Sequence, residues 1–209
     1  MGHRRLLPGE MYPANDTRVR ARSVVLASGL KVRVVEAGDQ SSSHVLLIPG
    51  WGCGAWSFHE ILPLLAAAGF HAIAVELKGH GLSDKPRDES DYTAESMNAH
   101  VIEIMDALGF DRCRLVGHSM GGAIVARVAE MRPDRIDSVV CVAPVGFRGV
   151  TGMGLFRAIT PASAIPALHA AARRFVVSIM LWIAWGRIGR PTAQDVDEYW
   201  APTQFVDFT

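Results

Sequence analysis

One five-residue segment, Gly117-His118-Ser119-Met120-Gly121, carries the strongest chemical signal in the chain. Its Gly-x-Ser-x-Gly pattern lies between a short apolar run and a segment with helical periodicity, which indicates a serine on a sharp strand-to-helix turn. Such a serine has a strained backbone, and the flanking positions must be glycine because a side chain there would collide with the neighbouring strand or helix. The segment therefore predicts a nucleophile, Ser119, raised above the carboxyl edge of a sheet.

An acyl carbonyl attacked by Ser119 becomes an oxyanion, which is stabilised by hydrogen-bond donors that are already in place. The backbone N–H of Met120 begins the predicted helix and points toward the same space. The alternative is an ordinary glycine-rich helix start. Chance alone supplies roughly 0.1 such patterns in a chain of this length, so the pattern by itself does not decide between the two interpretations. The strand and helix on either side favour the catalytic interpretation.

The elements that must position this serine alternate along the chain. Short runs rich in β-branched residues predict strands at 19–25, 31–36, 44–48, 71–77, 112–117 and 136–143. Helical periodicity predicts helices between them, the first capped by Ser57, the second by Thr93 and the third starting at Met120. Strands that alternate with helices imply parallel pairing with helices on both faces, so we expect an α/β fold with a mostly parallel sheet.

The composition changes after Pro144. The remaining stretch is rich in Ala, Pro and Gly, contains Trp182, Trp185 and Trp200, and predicts helices near 153–159, 167–185 and 193–200 without a further strand. We expect three parts: an N-terminal arm at 1–18, an α/β core at 19–145 and an incomplete helical cap at 146–209.

Composition excludes several classes of protein. Lys and Arg number 21 and so do Asp and Glu, so the charge footprint of a nucleic-acid-binding protein is missing. Cys53, Cys113 and Cys141 form neither a CxxC pair nor a metal-ligand pattern, which predicts no disulfide framework and no metal. The longest apolar run, 175–186, is too short to span a bilayer. We expect a soluble, cytoplasmic protein without a cofactor, with a small-molecule partner and no nucleic acid.

With these motifs in view, residues 20 to 145 resemble the α/β-hydrolase superfamily. The resemblance depends on the serine turn, on Leu47-Ile48-Pro49-Gly50-Trp51-Gly52 with Trp56, and on Gly79-His80-Gly81-Leu82-Ser83 before Asp84. It implies that the backbone N–H of Trp51 is the second oxyanion donor. It also implies that the loop containing His80 and Ser83 is structural.

The resemblance further implies a pocket formed by Pro49, Gly50 and His118. The family usually has His where this chain has Pro49. Because the expected donor is the backbone of the following segment, this departure affects the rigidity of the loop more than its chemistry.

The family's catalytic acid and histidine follow the serine in the order Ser, Asp or Glu, His. Here only His169 follows Ser119, in an Ala-rich segment where a helix-surface position is the simpler interpretation. The acidic residues of the predicted cap are expected to be solvated or capping residues: Asp195, Asp197, Glu198 and Asp207. We therefore expect the chain to be an N-terminal portion of a longer hydrolase or a truncated gene product.

The resemblance implies hydrolysis of an ester or related acyl bond of a small, apolar substrate through a Ser119 acyl-enzyme. The Asp-nucleophile branches, dehalogenases and epoxide hydrolases among them, are disfavoured because position 119 is Ser. Two alternatives stay open: a catalytically impaired or non-enzymatic binding protein on the same fold, and an acyltransferase or perhydrolase.

Overall fold

The computed structural model describes residues 5–146, 173–186 and 189–205. In these ranges, six strands form one sheet in the order β1-β2-β4-β3-β5-β6. The strands are β1 (Arg20–Val25), β2 (Lys31–Ala37), β3 (His44–Ile48), β4 (His71–Val75), β5 (Cys113–His118) and β6 (Ile136–Val142). The helices are α1 (Ile61–Ala67), α2 (Ala94–Ala107), α3 (Met120–Met131), α4 (Arg174–Trp185) and α5 (Ala193–Trp200).

The sheet is mostly parallel, as the alternating pattern predicts. β1 and β2 form an antiparallel hairpin and β2 is antiparallel to β4, whereas β4, β3, β5 and β6 are parallel to one another. Ile48 at the end of β3 pairs with Gly117 near the end of β5. This register brings the loop after β3 beside the loop after β5, at the carboxyl edge where sites in such sheets are built.

Alternate residues of the central strands face two separate hydrophobic layers. Leu46 and Ile48 of β3 pack with residues of α2 and α3, whereas Val45 and Leu47 pack with α1 and with a short 3-10 helix, Ala55–Phe58. Both layers are apolar, so the central strand is a nearly continuous hydrophobic run, as expected for a parallel sheet covered on both faces. The predicted α/β fold is confirmed.

The predicted helix start is confirmed for α2 and is wrong for α1. The side chain of Thr93 caps α2 by accepting a hydrogen bond from the backbone N–H of Ser96, at 3.2 Å. The predicted start of α1 at Ser57 is wrong, because Ser57 lies in the 3-10 helix and α1 begins at Ile61. This later start puts Pro63 in the first turn, where its missing N–H has no intrahelical partner to lose.

Two of the three helices predicted after residue 144 fall in the described ranges, at least in part. α5 begins as predicted, with Thr192 and Asp195 forming a capping box. α4 covers the end of the predicted 167–185 helix and contacts α5, where Trp185 meets Tyr199 edge-on at 6.5 Å. The predicted helix at 153–159 lies outside the described residues. Among the helices that the structure describes, none is long and apolar enough to cross a membrane.

Candidate active site

Ser119 lies between β5 and α3 with a backbone that L-residues rarely adopt. Its φ is 54° and its ψ is −116°. Four backbone hydrogen bonds hold it: its N–H donates to the carbonyl of Val142 at 2.9 Å, and its carbonyl accepts from Gly122 at 3.0 Å, Ala123 at 3.4 Å and Val145 at 3.2 Å. The strained conformation is thus fixed by the end of β6 and by the first turn of α3.

The two glycines of the motif stand where no side chain fits. A Cβ on Gly117 would lie 2.3 Å from the carbonyl oxygen of Gly121, and a Cβ on Gly121 would lie 2.2 Å from the carbonyl oxygen of Ile48. Gly122, which the motif does not single out, is confined to a lesser degree, because a Cβ there would be 2.8 Å from the Cβ of Pro144. These approaches let α3 start directly against the ends of β3 and β6.

The loop after β3 lies against the serine. A Cβ on Gly50 would lie 3.1 Å from the Cβ of Ser119 and 3.3 Å from Nδ1 of His118. Trp51 follows with its side chain 64% exposed. Met120 is the first residue of α3, and backbone N–H groups of a first turn have no partner within the helix. Both predicted oxyanion donors therefore belong to segments that adjoin Ser119.

Within the described residues, the hydroxyl of Ser119 makes no hydrogen bond to a histidine or carboxylate side chain. His169, the one histidine that follows Ser119 in the sequence, lies outside the described residues. No group of three His, Cys, Asp or Glu side chains in the described ranges is arranged to hold a metal ion. Cys53, Cys113 and Cys141 are free thiols.

Glu76 is a buried carboxylate that the sequence analysis missed. It accepts hydrogen bonds from Nη1 of Arg33 at 2.8 Å, from the backbone N–H of Leu82 at 2.6 Å and from that of Ala55 at 3.4 Å. It thereby joins the segment after β3 to the loop after β4. The one available signal was an acidic residue in the otherwise apolar run 72–77, because a buried charge needs partners.

The loop after β4 has the structural role that the family resemblance implies. The hydroxyl of Ser83 accepts from the backbone N–H of Arg33 at 2.8 Å and donates to the carbonyl of Glu76. His80 is buried with a ring nitrogen 3.0 Å from the carbonyl of Lys78, and this burial lowers its pKa. The Ser83 hydroxyl and one ring nitrogen of His80 thus contact backbone groups that hold the loop.

Helix α5 is hydrogen-bonded to the 3-10 helix Ala55–Phe58, which follows the loop that contains Trp51. The indole N–H of Trp56 donates to Asp195 at 2.9 Å, and the hydroxyls of Ser57 and Tyr199 are 3.1 Å apart. Asp195 also caps α5, as expected of an acidic residue there.

The other acidic residues of the predicted cap differ from one another. Glu198 was expected to be solvated or capping, yet it is buried and accepts from the backbone N–H of Tyr12 at 2.8 Å. Asp197 pairs with Arg174 at 2.6 Å. Asp207 lies outside the described residues.

With this geometry in place, comparison with known proteins gives one family. A family model described as the alpha/beta hydrolase fold matches residues 43–169. Epoxide hydrolase A of Mycobacterium tuberculosis is 31% identical over 120 residues, which are 57% of this chain and 37% of that protein. Lipase 1 of Psychrobacter immobilis is 34% identical over 137 residues, 65% of this chain and 42% of that protein.

A third relative is the dihydrolipoyllysine-residue acetyltransferase component of the acetoin cleaving system of Cupriavidus necator. It is 38% identical over 128 residues, which are 60% of this chain and 33% of that protein. The chain thus spans about a third to two fifths of the length of these curated relatives.

Solved structures agree on the fold. An epoxide hydrolase from Vigna radiata superposes with a TM-score of 0.73 at 23% identity, over 88% of this chain and 67% of that one. An epoxide hydrolase from an endophytic Streptomyces gives a TM-score of 0.55 at 33% identity, over 59% of this chain and 37% of that one. Together with the family match over more than half of its length, these likenesses place the chain in the α/β-hydrolase family.

Proposed function

We propose that the protein is a serine hydrolase that cleaves an ester or related acyl bond of a small, apolar substrate. The observation that carries this proposal is the backbone of Ser119, held in the left-handed region at the β5–α3 junction with glycines packed on both sides. Strain of this kind persists only where the surrounding structure imposes it, and it clusters at functional sites.

In the proposed reaction, the oxygen of Ser119 attacks the acyl carbonyl carbon and its proton passes to a general base. The backbone N–H groups of Met120 and Trp51 stabilise the oxyanion of the tetrahedral intermediate. The leaving alcohol takes a proton as it departs and an acyl-Ser119 ester forms. Water then attacks this ester, which releases the acid and restores the serine hydroxyl.

The residue type at 119 distinguishes this proposal from the activity printed for several relatives. An Asp nucleophile is ionised at neutral pH, whereas a serine hydroxyl is weak until a base removes its proton. A serine suits attack on an activated carbonyl, where the intermediate is an ester that water can cleave. The relative named as a lipase fits this chemistry better than those named as epoxide hydrolases.

An acyltransferase is the second candidate. It needs the same acyl-Ser119 ester, attacked by another hydroxyl or thiol instead of water. The 38% identity to a protein named as an acetyltransferase component supports this second candidate. A non-enzymatic binding protein, the alternative from another class, would keep the pocket and form no acyl-enzyme.

The test is covalent labelling of Ser119 by a fluorophosphonate, read by peptide mass spectrometry, in the chain and in any longer form of it. Ser119→Ala should abolish both labelling and turnover of a short-chain nitrophenyl ester, because loss of a nucleophile costs on the order of a million-fold in kcat. Ser138→Ala, at an exposed position of β6, is the matched control and should behave as wild type.

A Ser119→Ala variant that keeps a tenth of the turnover would refute the proposal. Competing alcohols or thiols, added during turnover, separate the two enzymatic candidates. A new acyl product in place of the free acid would identify the transferase.

A further inference from the structure

Cys53 lies two residues after Trp51, in the turn that contains the second proposed oxyanion donor. The backbone N–H of Cys53 donates to the carbonyl of Gly50 at 3.2 Å, which closes a four-residue turn with Trp51 and Gly52 at its centre. Gly52 has a φ of 71°, the positive value that a type II turn requires at its third position. Cys53 thus ends the turn and supplies the hydrogen bond that closes it.

This hydrogen bond acts on the peptide group that contains the Trp51 N–H. A peptide group is planar, and in its trans form the C=O and the N–H point in opposite directions. Because the carbonyl of Gly50 and the N–H of Trp51 belong to one such group, fixing the carbonyl also fixes the direction of the N–H. A carbonyl that accepts a hydrogen bond also polarises its own peptide group, which makes the N–H a stronger donor.

The thiol of Cys53 acts on the next peptide group along the chain. Its Sγ lies 3.5 Å from the carbonyl oxygen of Trp51, to which the S–H donates a weak hydrogen bond. Cys53 therefore contacts the peptide groups on both sides of the Trp51 Cα, one through its backbone N–H and one through its side chain. Trp51 itself is largely exposed, so burial does not fix its backbone.

Two hydroxyl groups surround the thiol. Ser57, in the 3-10 helix Ala55–Phe58, and Tyr199, in α5, have hydroxyl oxygens 3.1 Å apart, and both hydroxyls interact with the Cys53 sulfur. Burial raises the pKa of the Cys53 thiol, and this outweighs the opposite effect of the two hydroxyls. The thiol therefore stays protonated at neutral pH, which is the form that donates a hydrogen bond.

The direction of an oxyanion donor has a large effect on the rate. Removal of one such donor costs about 100- to 1,000-fold in kcat. A misplacement of about 1 Å at a catalytic site can cost about 100-fold. A side chain that holds the donor in place is therefore expected to affect the rate although it is remote from the reacting atoms.

We propose that Cys53 is a positioning residue, which holds the peptide groups around Trp51 so that the Trp51 N–H points at the oxyanion. This inference rests on the proposed function, since it needs an oxyanion formed at Ser119. The oxyanion exists only after the attack, so the thiol affects the transition state and leaves binding of the substrate nearly unchanged.

The first experiment measures the rate at which a fluorophosphonate labels Ser119. Cys53→Ala should be labelled about tenfold more slowly than wild type, because the phosphoryl oxygen of the reagent occupies the position of the oxyanion. Wild-type protein that is not labelled at Ser119 would refute the proposed function, and this inference with it. Wild type and Cys53→Ala labelled at equal rates would refute the positioning role alone.

Steady-state kinetics separate positioning from a general structural role. With a short-chain nitrophenyl ester, Cys53→Ala should lower kcat about tenfold and leave KM within about twofold of wild type. Cys53→Ser restores a hydrogen-bond donor and should turn over faster than Cys53→Ala. A rise in KM at unchanged kcat, or a Cys53→Ser variant no faster than Cys53→Ala, would contradict the proposal.

Cys141→Ala is the matched control for loss of a thiol. Its Sγ lies 3.5 Å from the carbonyl oxygen of Gly122, which is the same kind of contact at the same distance, but to a carbonyl outside the Trp51 turn. Cys141→Ala should be labelled and should turn over as wild type. An equal loss in both alanine variants would show that the effect is not specific to Cys53.

A second variant tests the turn without changing Cys53. An added Cβ at Gly52 meets no described atom within 4 Å, so Gly52→Ala strains only the backbone, because alanine rarely adopts a φ of 71°. We expect kcat to fall about tenfold at unchanged KM. Gly29→Ala is the control, since Gly29 has a φ of 87° and is equally open, but lies in the β1–β2 turn. Equal kcat values for these two variants would overturn the proposal.

Discussion

Replacing Gly121 by valine tests the packing on which the serine turn depends. The new Cβ would lie 2.2 Å from the carbonyl oxygen of Ile48 and 2.6 Å from that of Pro49. Ordinary carbon–oxygen contacts are about 3.3 Å or longer, so the start of α3 must move away from β3 by about 1 Å. Both contacts are with backbone, which cannot rotate aside as a side chain would.

Overpacking of this kind costs about 1–3 kcal/mol, and the rigid backbone on both sides places Gly121→Val near the upper end. For a chain of this size, 3 kcal/mol lowers the melting temperature by roughly 6–12 °C. The shift would also move Ser119 away from Gly50, so fluorophosphonate labelling should be lost as well.

Thermal unfolding followed by circular dichroism measures the first effect. Ala126→Val on the same helix is the control, since it adds the same β-branched residue at a half-buried position and should cost only about 0.5 kcal/mol. If Gly121→Val melted with the control and still reacted at Ser119, the close approach of α3 to β3 would be refuted.

Three further predictions concern other parts of the chain. The contribution of Glu198 to stability should fall between pH 4.5 and pH 7, because its carboxyl has an ordinary pKa of 4.5 and a folded pKa of about 7. Urea unfolding at pH 8 should therefore show that Glu198→Gln is more stable than wild type by up to about 3 kcal/mol, and this difference should disappear at pH 4.5. Equal pH dependence of the two proteins would contradict the burial of the carboxylate. Tyr199→Phe should cost about 1 kcal/mol, and adding Ser57→Ala should cost little more if the two hydroxyls are partners. In the described sheet β6 is an edge strand with Val140 52% exposed, so the purified chain should self-associate in light scattering, and Val140→Lys should reduce this.

Local patterns in the sequence predicted the elements that depend on neighbouring residues. Gly117 is confined by the backbone of Gly121, four positions away, and Thr93 caps α2 through a group three positions away. The start of α1 was missed because Ser57 and Glu60 imitate a capping box, whereas Pro63 is accommodated only by a later start.

Long-range partners could not be predicted in this way. Glu76 accepts hydrogen bonds from Arg33, Ala55 and Leu82, which lie in three different segments of the chain. The residues next to Glu76 in the sequence give no sign that these segments meet. Glu198 looks like an ordinary surface residue of an amphipathic helix until the N-terminal arm covers it. No residue in the described ranges is assigned as the general base of the proposed reaction. The predicted site therefore consists of the nucleophile Ser119 and the two backbone N–H groups expected to stabilise the oxyanion.

The hydrogen bond between Tyr12 and Glu198 joins residues 186 positions apart. At synthesis rates of about 5–20 residues per second, the ribosome needs roughly 10–40 s to produce the partner after Tyr12 has been made. During that interval the arm has no helix to dock on, whereas the β1–β2 hairpin behind it can already form from adjacent residues. The backbone N–H of Tyr12 therefore lacks this partner until α5 has been made, and the arm is expected to be more open to proteases in nascent chains than in the complete fold.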